Sequence, residues 1–193
     1  MHALSRRTAL ATAVLISTLA AAGTVWAQSA PRVKLATSAG DIVVELAPDK
    51  APKTVENFLQ YVNDKHYDGT VFHRVIDNFM IQGGGFTGDL QQKATRTAIP
   101  LEAGNGLKND KYTIAMARTG NPNSATSQFF INVKDNAMLN APSPDGHGYT
   151  VFGKVVAGNE VVDKIRAART GSKNGMQDVP LEAITIKSAS VAK

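Results

Sequence analysis

A chain that breaks into short β-rich runs, with two helical stretches and no regular strand–helix alternation, has few ways to bury its apolar faces. Here the runs are Val33–Thr37, Ile42–Leu46, Val71–Ile76, Phe79–Gln82, Tyr112–Met116, Phe129–Val133, Val151–Val156 and Ile184–Lys187. The first two flank Ser38-Ala39-Gly40-Asp41, a hairpin signature. Pro52 opens a helix in which Val55, Phe58, Leu59 and Val62 recur at i, i+3, i+4 and i+7, so they form one buried stripe. Proline is at ease there, because its missing N–H would find no partner in the first turn. Asn159 is read as the cap of a second helix, with Val161, Val162 and Ile165 facing inward. The pattern excludes a doubly wound α/β fold and predicts a mainly β protein: an antiparallel β-barrel closed at its ends by the helices. Gly83-Gly84-Gly85 and Gly104-Asn105-Gly106 read as loops or tight corners.

The first 27 residues stand apart. Arg6-Arg7 precede an apolar stretch from Ala9 to Ala22, and Val25-Trp26-Ala27 supplies a small-x-small pattern ahead of Gln28. These are the three regions of a secretory signal peptide, with cleavage expected after Ala27 and a single domain over 28–193. The apolar run falls short of the roughly 20 residues a membrane-spanning helix needs, so no membrane attachment is expected after cleavage. Ser5-Arg6-Arg7-Thr8-Ala9-Leu10 only weakly resembles a twin-arginine signal, which favours the general secretory route.

The formal net charge is +5, of which Arg6 and Arg7 carry two, so the processed chain keeps about +3. Its lysines and arginines are scattered among acidic residues, a solvated mixed surface with no nucleic-acid partner expected. The absence of cysteine excludes disulfide scaffolds, thiol catalysis and cysteine-based zinc sites.

Nucleophilic catalysis finds little support. The histidines are His2, His66, His73 and His147, and no serine sits in a Gly-x-Ser-x-Gly elbow. His73 reads as a structural, hydrogen-bonded residue; His66 and His147 read as solvated. No metal-ligand spacing is present, and Gly83-Gly84-Gly85 lacks the Gly-Lys-Ser/Thr of a phosphate loop, so neither metal nor cofactor is expected.

Two stretches resist a purely structural reading. Phe72-His73-Arg74-Val75-Ile76-Asp77-Asn78-Phe79-Met80-Ile81-Gln82-Gly83-Gly84 sets Arg74 inside an aromatic and aliphatic strand. On pattern alone, that arginine reads as one that lays its stem on the wall and turns its head to solvent. Ser127-Gln128-Phe129-Phe130-Ile131-Asn132 alternates so that Gln128 and Phe130 share one face while Phe129 and Ile131 feed the other.

These two segments, with Val151-Phe152-Gly153-Lys154-Val155, resemble the signatures of the cyclophilins, in family order, from about residue 32 to 187. The chain is most similar to their bacterial periplasmic branch, which agrees with the leader. The resemblance implies a closed eight-stranded antiparallel barrel capped by two α-helices. It implies peptidyl-prolyl cis/trans isomerisation of proline-containing, unfolded or partly folded exported polypeptides in the periplasm, with a monomer as the working expectation. By motif match, Arg74 would be the catalytic arginine, and Gln82 and Gln128 would position it and the peptide backbone. Phe79, Met80, Phe130 and Leu139 would line the pocket for the proline ring, and Ala117 would lie on the strand that pairs with peptide. Three further groove positions depart from the eukaryotic pattern. Arg118 stands for an asparagine that contacts substrate, Met138 for a tryptophan that helps bind the inhibitor cyclosporin, and Tyr149 for a pocket-side histidine. Weak cyclosporin binding is therefore expected. The loop from Asn140 to His147 would border the pocket. Two other readings stand beside the isomerase: a peptide-binding chaperone on the same frame, and a barrel with a small ligand inside.

Overall fold

The computed structural model describes residues 30–192; the expected signal peptide and its cleavage site lie outside them. The strands are β1 (Arg32–Thr37), β2 (Asp41–Leu46), β3 (Arg74–Ile76), β4 (Met80–Gly83), β5 (Thr113–Met116), β6 (Phe129–Asn132), β7 (Val151–Ala157), β8 (Thr170–Lys173), β9 (Met176–Pro180) and β10 (Ile186–Ala192). Helix α1 spans Pro52–Asn63 and α2 spans Asn159–Arg166, with a short 3-10 turn at Ala137–Leu139. Eight strands form one sheet in the order β10-β1-β2-β7-β5-β6-β4-β3, while β8 and β9 pair separately.

Strand alternation does the sorting. In β1 and β2, Val33, Leu35, Ile42 and Val44 are fully buried, while their sequence neighbours lie nearer solvent. Thr37 fixes the hairpin between them: its hydroxyl donates to Gly40 O at 2.6 Å and accepts from the Ala39 and Gly40 N–H groups. The inner faces of the other strands deliver Val75, Ile81, Ile114, Ile131 and Phe129 to the same core. Phe58 of α1 meets Phe129 and Phe152 at centroid separations of 5.8 and 5.1 Å, so this helix packs its aromatic stripe into the sheet's concave side. The interior is filled by side chains, which disfavours a ligand inside the barrel.

Four features differ from the sequence reading or were not in it. First, the ladder does not close. The edge strands β3 and β10 do not pair; the two ends of the sheet meet through an isolated bridge, Val71–Thr185. Backbone bonds Phe72 N to Ile184 O (2.9 Å) and Ile186 N to Thr70 O (2.7 Å) flank that bridge. The result is a curled half-barrel, with the β8–β9 hairpin packed against the β3 edge. Second, Asn159 is not a cap. Gly158 occupies that position at φ +88°, where a Cβ would stand 2.2 Å from Asp41 O, so only glycine fits the corner. Third, α1 is capped at a distance: the Glu102 carboxylate accepts from Thr54 N (2.9 Å), Thr54 Oγ1 (2.7 Å) and Lys53 N (3.2 Å). Fourth, His66 is half-buried, its ring 4.6 Å from that of Tyr61 and its Nε2 3.3 Å from Gly84 O; His147 is exposed.

Candidate active site on the outer face of the sheet

Register places the candidate residues in one row. Arg74 of β3 stands opposite Gln82 of β4, Gln82 opposite Phe130 of β6, Phe130 opposite Ala115 of β5, and Ala115 opposite Val151 of β7. Directly paired residues share a face with Cβ atoms about 5 Å apart, so the row runs from a cation through an amide to an apolar wall. A second row, Ile76 opposite Met80, lies two residues along on the same face. The sheet therefore has two apolar clusters. The inner one is the core, and the outer one joins Met80, Ala115, Phe130, Leu139 and Val151 with the partly buried Phe79, Ala117 and Tyr149. An apolar cluster on the convex face of a curled sheet, ending in an arginine, is what a core alone would not require.

The polar end is ordered by amides. Gln82 Nε2 donates to Gln128 Oε1 at 2.9 Å. Gly85 makes room for Gln128, since a Cβ there would lie 2.4 Å from Gln128 Cγ. Arg74 keeps 42% of its side chain exposed, and among the described residues its guanidinium meets one carboxylate, Asp178 of β9, with Nε 3.7 Å from Oδ2. Its donors therefore stay available to a ligand lying over Phe130.

The comparisons with known proteins agree on the family of the chain. Residues 32–191 match the family described as cyclophilin type peptidyl-prolyl cis-trans isomerase/CLD. The chain is 63% identical over 161 residues to peptidyl-prolyl cis-trans isomerase cyp18 of Streptomyces antibioticus, covering 82% of this chain and 97% of that one. It is 49% identical over 190 residues to peptidyl-prolyl cis-trans isomerase A of Dickeya dadantii, covering 98% of this chain and all (100%) of that one. The chain belongs to the cyclophilin family. Its enzyme class is that of the peptidyl-prolyl cis-trans isomerases. Among solved structures, a Cryptosporidium parvum cyclophilin-type isomerase crystallised in the presence of the dipeptide Ala-Pro superposes with a TM-score of 0.72. It is 29% identical and covers 84% of this chain and 99% of that one.

In this cyclophilin the wall of the apolar cluster is held by buried asparagines that sequence reasoning did not single out. Asn136 Nδ2 donates to Phe79 O and to Asn132 Oδ1, both at 2.8 Å. Asn132 Nδ2 donates to Asn109 Oδ1 at 3.2 Å, and Asn109 Nδ2 reaches Leu139 O at 3.2 Å. All three are nearly or fully buried, so each amide replaces water for a neighbour and fixes the backbone that carries Phe79 and Leu139. No spacing rule could have found them, since their partnership is purely tertiary.

The three positions that depart from the eukaryotic pattern fall into different settings. Met138 is 54% exposed at the rim and outside the apolar cluster. Tyr149 sets its ring edge-on to Phe130, centroids 5.7 Å apart. Arg118 has a side chain only 2% exposed, wholly engaged within the protein. Ala117 next to it donates its N–H to Gln128 O at 3.0 Å, tying β5 to β6 just beyond the pocket. Behind Arg74, His73 is buried with Nδ1 unpartnered, not hydrogen-bonded at that atom as its reading implied. Burial, aided by the Arg74 charge, lowers its pKa to about 4, against a smaller opposing contribution from the Val71 backbone.

Proposed function

We propose that this cyclophilin accelerates rotation about X-Pro bonds in exported polypeptides, with Arg74 stabilising the twisted amide and the Phe79–Met80–Phe130–Leu139 cluster seating the proline ring. The observation that carries the proposal is the row that ends an external apolar cluster on a half-exposed arginine.

The chemistry asks for little else. An X-Pro bond turns about a partial double bond with a barrier of about 18–20 kcal/mol, and uncatalysed exchange takes about 10–100 s. No bond breaks and no proton needs shuttling. At the twisted geometry resonance is lost and the proline nitrogen regains a basic lone pair. A donor that cannot deprotonate near neutral pH stabilises that state more than the planar one. Reaching a typical turnover of about 10–10³ per second requires about 4–7 kcal/mol. A hydrogen bond from a charged group contributes about 1.5–3 kcal/mol. The rest falls to the apolar seat and to Gln82 and Gln128, which hold one flank while the other turns.

The leader supports action outside the cytoplasm, in the periplasm, on proline-containing segments of exported proteins; the monomer stays the working expectation. Exchange NMR on a short X-Pro peptide with the processed domain tests the activity without a coupled protease. Accelerated exchange is the expected result. Peptide binding with unaltered exchange would make the protein a peptide-binding chaperone instead.

A further inference from the structure

Arg118 stands where the family resemblance assigns substrate contact, yet its guanidinium is spent inside the protein. Nε donates to Gly148 O at 2.9 Å, and NH2 donates to the same carbonyl and to Asp145 Oδ1, both at 2.8 Å. NH1 donates to Thr119 O at 2.9 Å. The cation also lies 4.5 Å above the centre of the Tyr149 ring, which meets Phe130 edge-on. With four of its five N–H donors engaged, a stacked face and a side chain only 2% exposed, the group is turned to the protein and away from a peptide. Every one of these contacts except Thr119 belongs to the segment between Leu139 and Tyr149, the loop bordering the pocket. That segment is anchored at its far end by Tyr149 N donating to Leu139 O at 3.0 Å.

We infer that Arg118 is a positioning residue: with Asp145 it forms a latch that fixes the Asn140–Gly148 loop and holds Tyr149 and Leu139 in place as the wall of the proline pocket. The inference deepens the proposed isomerase site and rests on it. Gly148 shows how tightly the loop is drawn in, at φ +73° with a would-be Cβ 2.4 Å from Ala141 N. A pre-formed wall spares the ligand the cost of ordering it, so the latch acts on affinity. It makes no contact with the rotating bond, so turnover of bound peptide is left nearly alone. Arginine suits this place where lysine would not, because one planar group serves a carbonyl, a carboxylate and an aromatic face together.

The test measures, for the processed domain, the dissociation constant of an X-Pro peptide by NMR titration and the exchange rate at saturation. Arg118→Ala is expected to weaken binding about tenfold while saturated exchange changes less than about threefold. Asp145→Asn moves the same way but less, Arg118→Lys recovers part of the affinity, and Arg118→Ala with Asp145→Asn is no worse than Arg118→Ala alone. The amide resonances of Gly146, His147 and Gly148 shift in each variant without peptide present. Unchanged loop resonances with weakened binding would overturn the latch and return Arg118 to direct substrate contact. Unchanged affinity in a folded Arg118→Ala protein would remove the residue from the site altogether. A native domain that bound peptide without accelerating its exchange would strike the isomerase reading instead, independently of the latch.

Discussion

Arg74 and Arg118 bring the same cation into opposite surroundings. Arg74 is half-exposed with a single loose ionic partner at 3.7 Å; Arg118 is buried with four of its five donors engaged. The family resemblance flagged both positions and could not separate these states, since the partners of Arg118 lie about 30 residues further along the chain. His73 carries a second residue-level consequence. Its pKa falls from 6.5 to about 4 mainly through burial. Between those values the unfolded chain takes up a proton that the folded one refuses, so acidification favours unfolding. The stability is fully present above about pH 6.5 and is lost as pH falls toward 4, by up to about 3 kcal/mol. His66, also lowered by burial, pulls in the same direction. Asp145, held below its ordinary value by the Arg118 hydrogen bond, loses its contribution only in more acidic solution. Denaturation midpoints measured from pH 7 to 4 should fall steeply in the native protein and visibly less in His73→Gln. Equal slopes would show that His73 titrates normally.

At the scale of elements, most of the sheet was legible and the part beside the arginine was not. Apolar runs with period-two alternation marked the β1–β2 hairpin and β4 to β7, because in those strands one face must be buried. Thr170–Lys173 and Met176–Pro180 are polar and were passed over, although Asn174-Gly175 between them is a strong hairpin signal. Both residues have positive φ, +50° and +79°, as a two-residue mirror-image turn requires. The omission mattered, since this hairpin supplies Asp178 to Arg74. Gly83-Gly84-Gly85 was legible as a corner, yet its close packing was not. A Cβ on Gly84 would stand 2.8 Å from the Tyr67 ring and 2.9 Å from that of Phe129, and Gly85 beds the Gln128 amide. Gly85→Ala should displace Gln128, break its bond to Gln82 and lower catalysed exchange about 2- to 10-fold, the worth of one hydrogen bond. Full activity with Gln128 unmoved in the spectrum would contradict this.

At the scale of the molecule, a single sheet serves as core on its concave face and as a groove on its convex one. That division follows from alternation alone: Phe129 and Ile131 fill the interior, while Phe130 between them turns out to join Met80 and Val151. Closure of the barrel was not legible, because it depends on how the two sheet ends meet at the Val71–Thr185 bridge and on the hairpin packed at that edge. Among the described residues no helix is long and apolar enough to cross a membrane. Whether the chain is exported rests on the leader. Intact-mass measurement of protein recovered from the periplasmic fraction should place the new N-terminus at Gln28, and an unprocessed cytoplasmic product would refute export.

The arginine remains the centre of the account. Exchange NMR on an X-Pro peptide, run with the native domain and with Arg74→Ala, reads its contribution directly. A folded Arg74→Ala protein should still bind peptide, with catalysed exchange reduced about 10- to 150-fold, the equivalent of 1.5–3 kcal/mol. Undiminished exchange in that variant would mean that the apolar seat alone turns the bond and that Arg74 has no part in it.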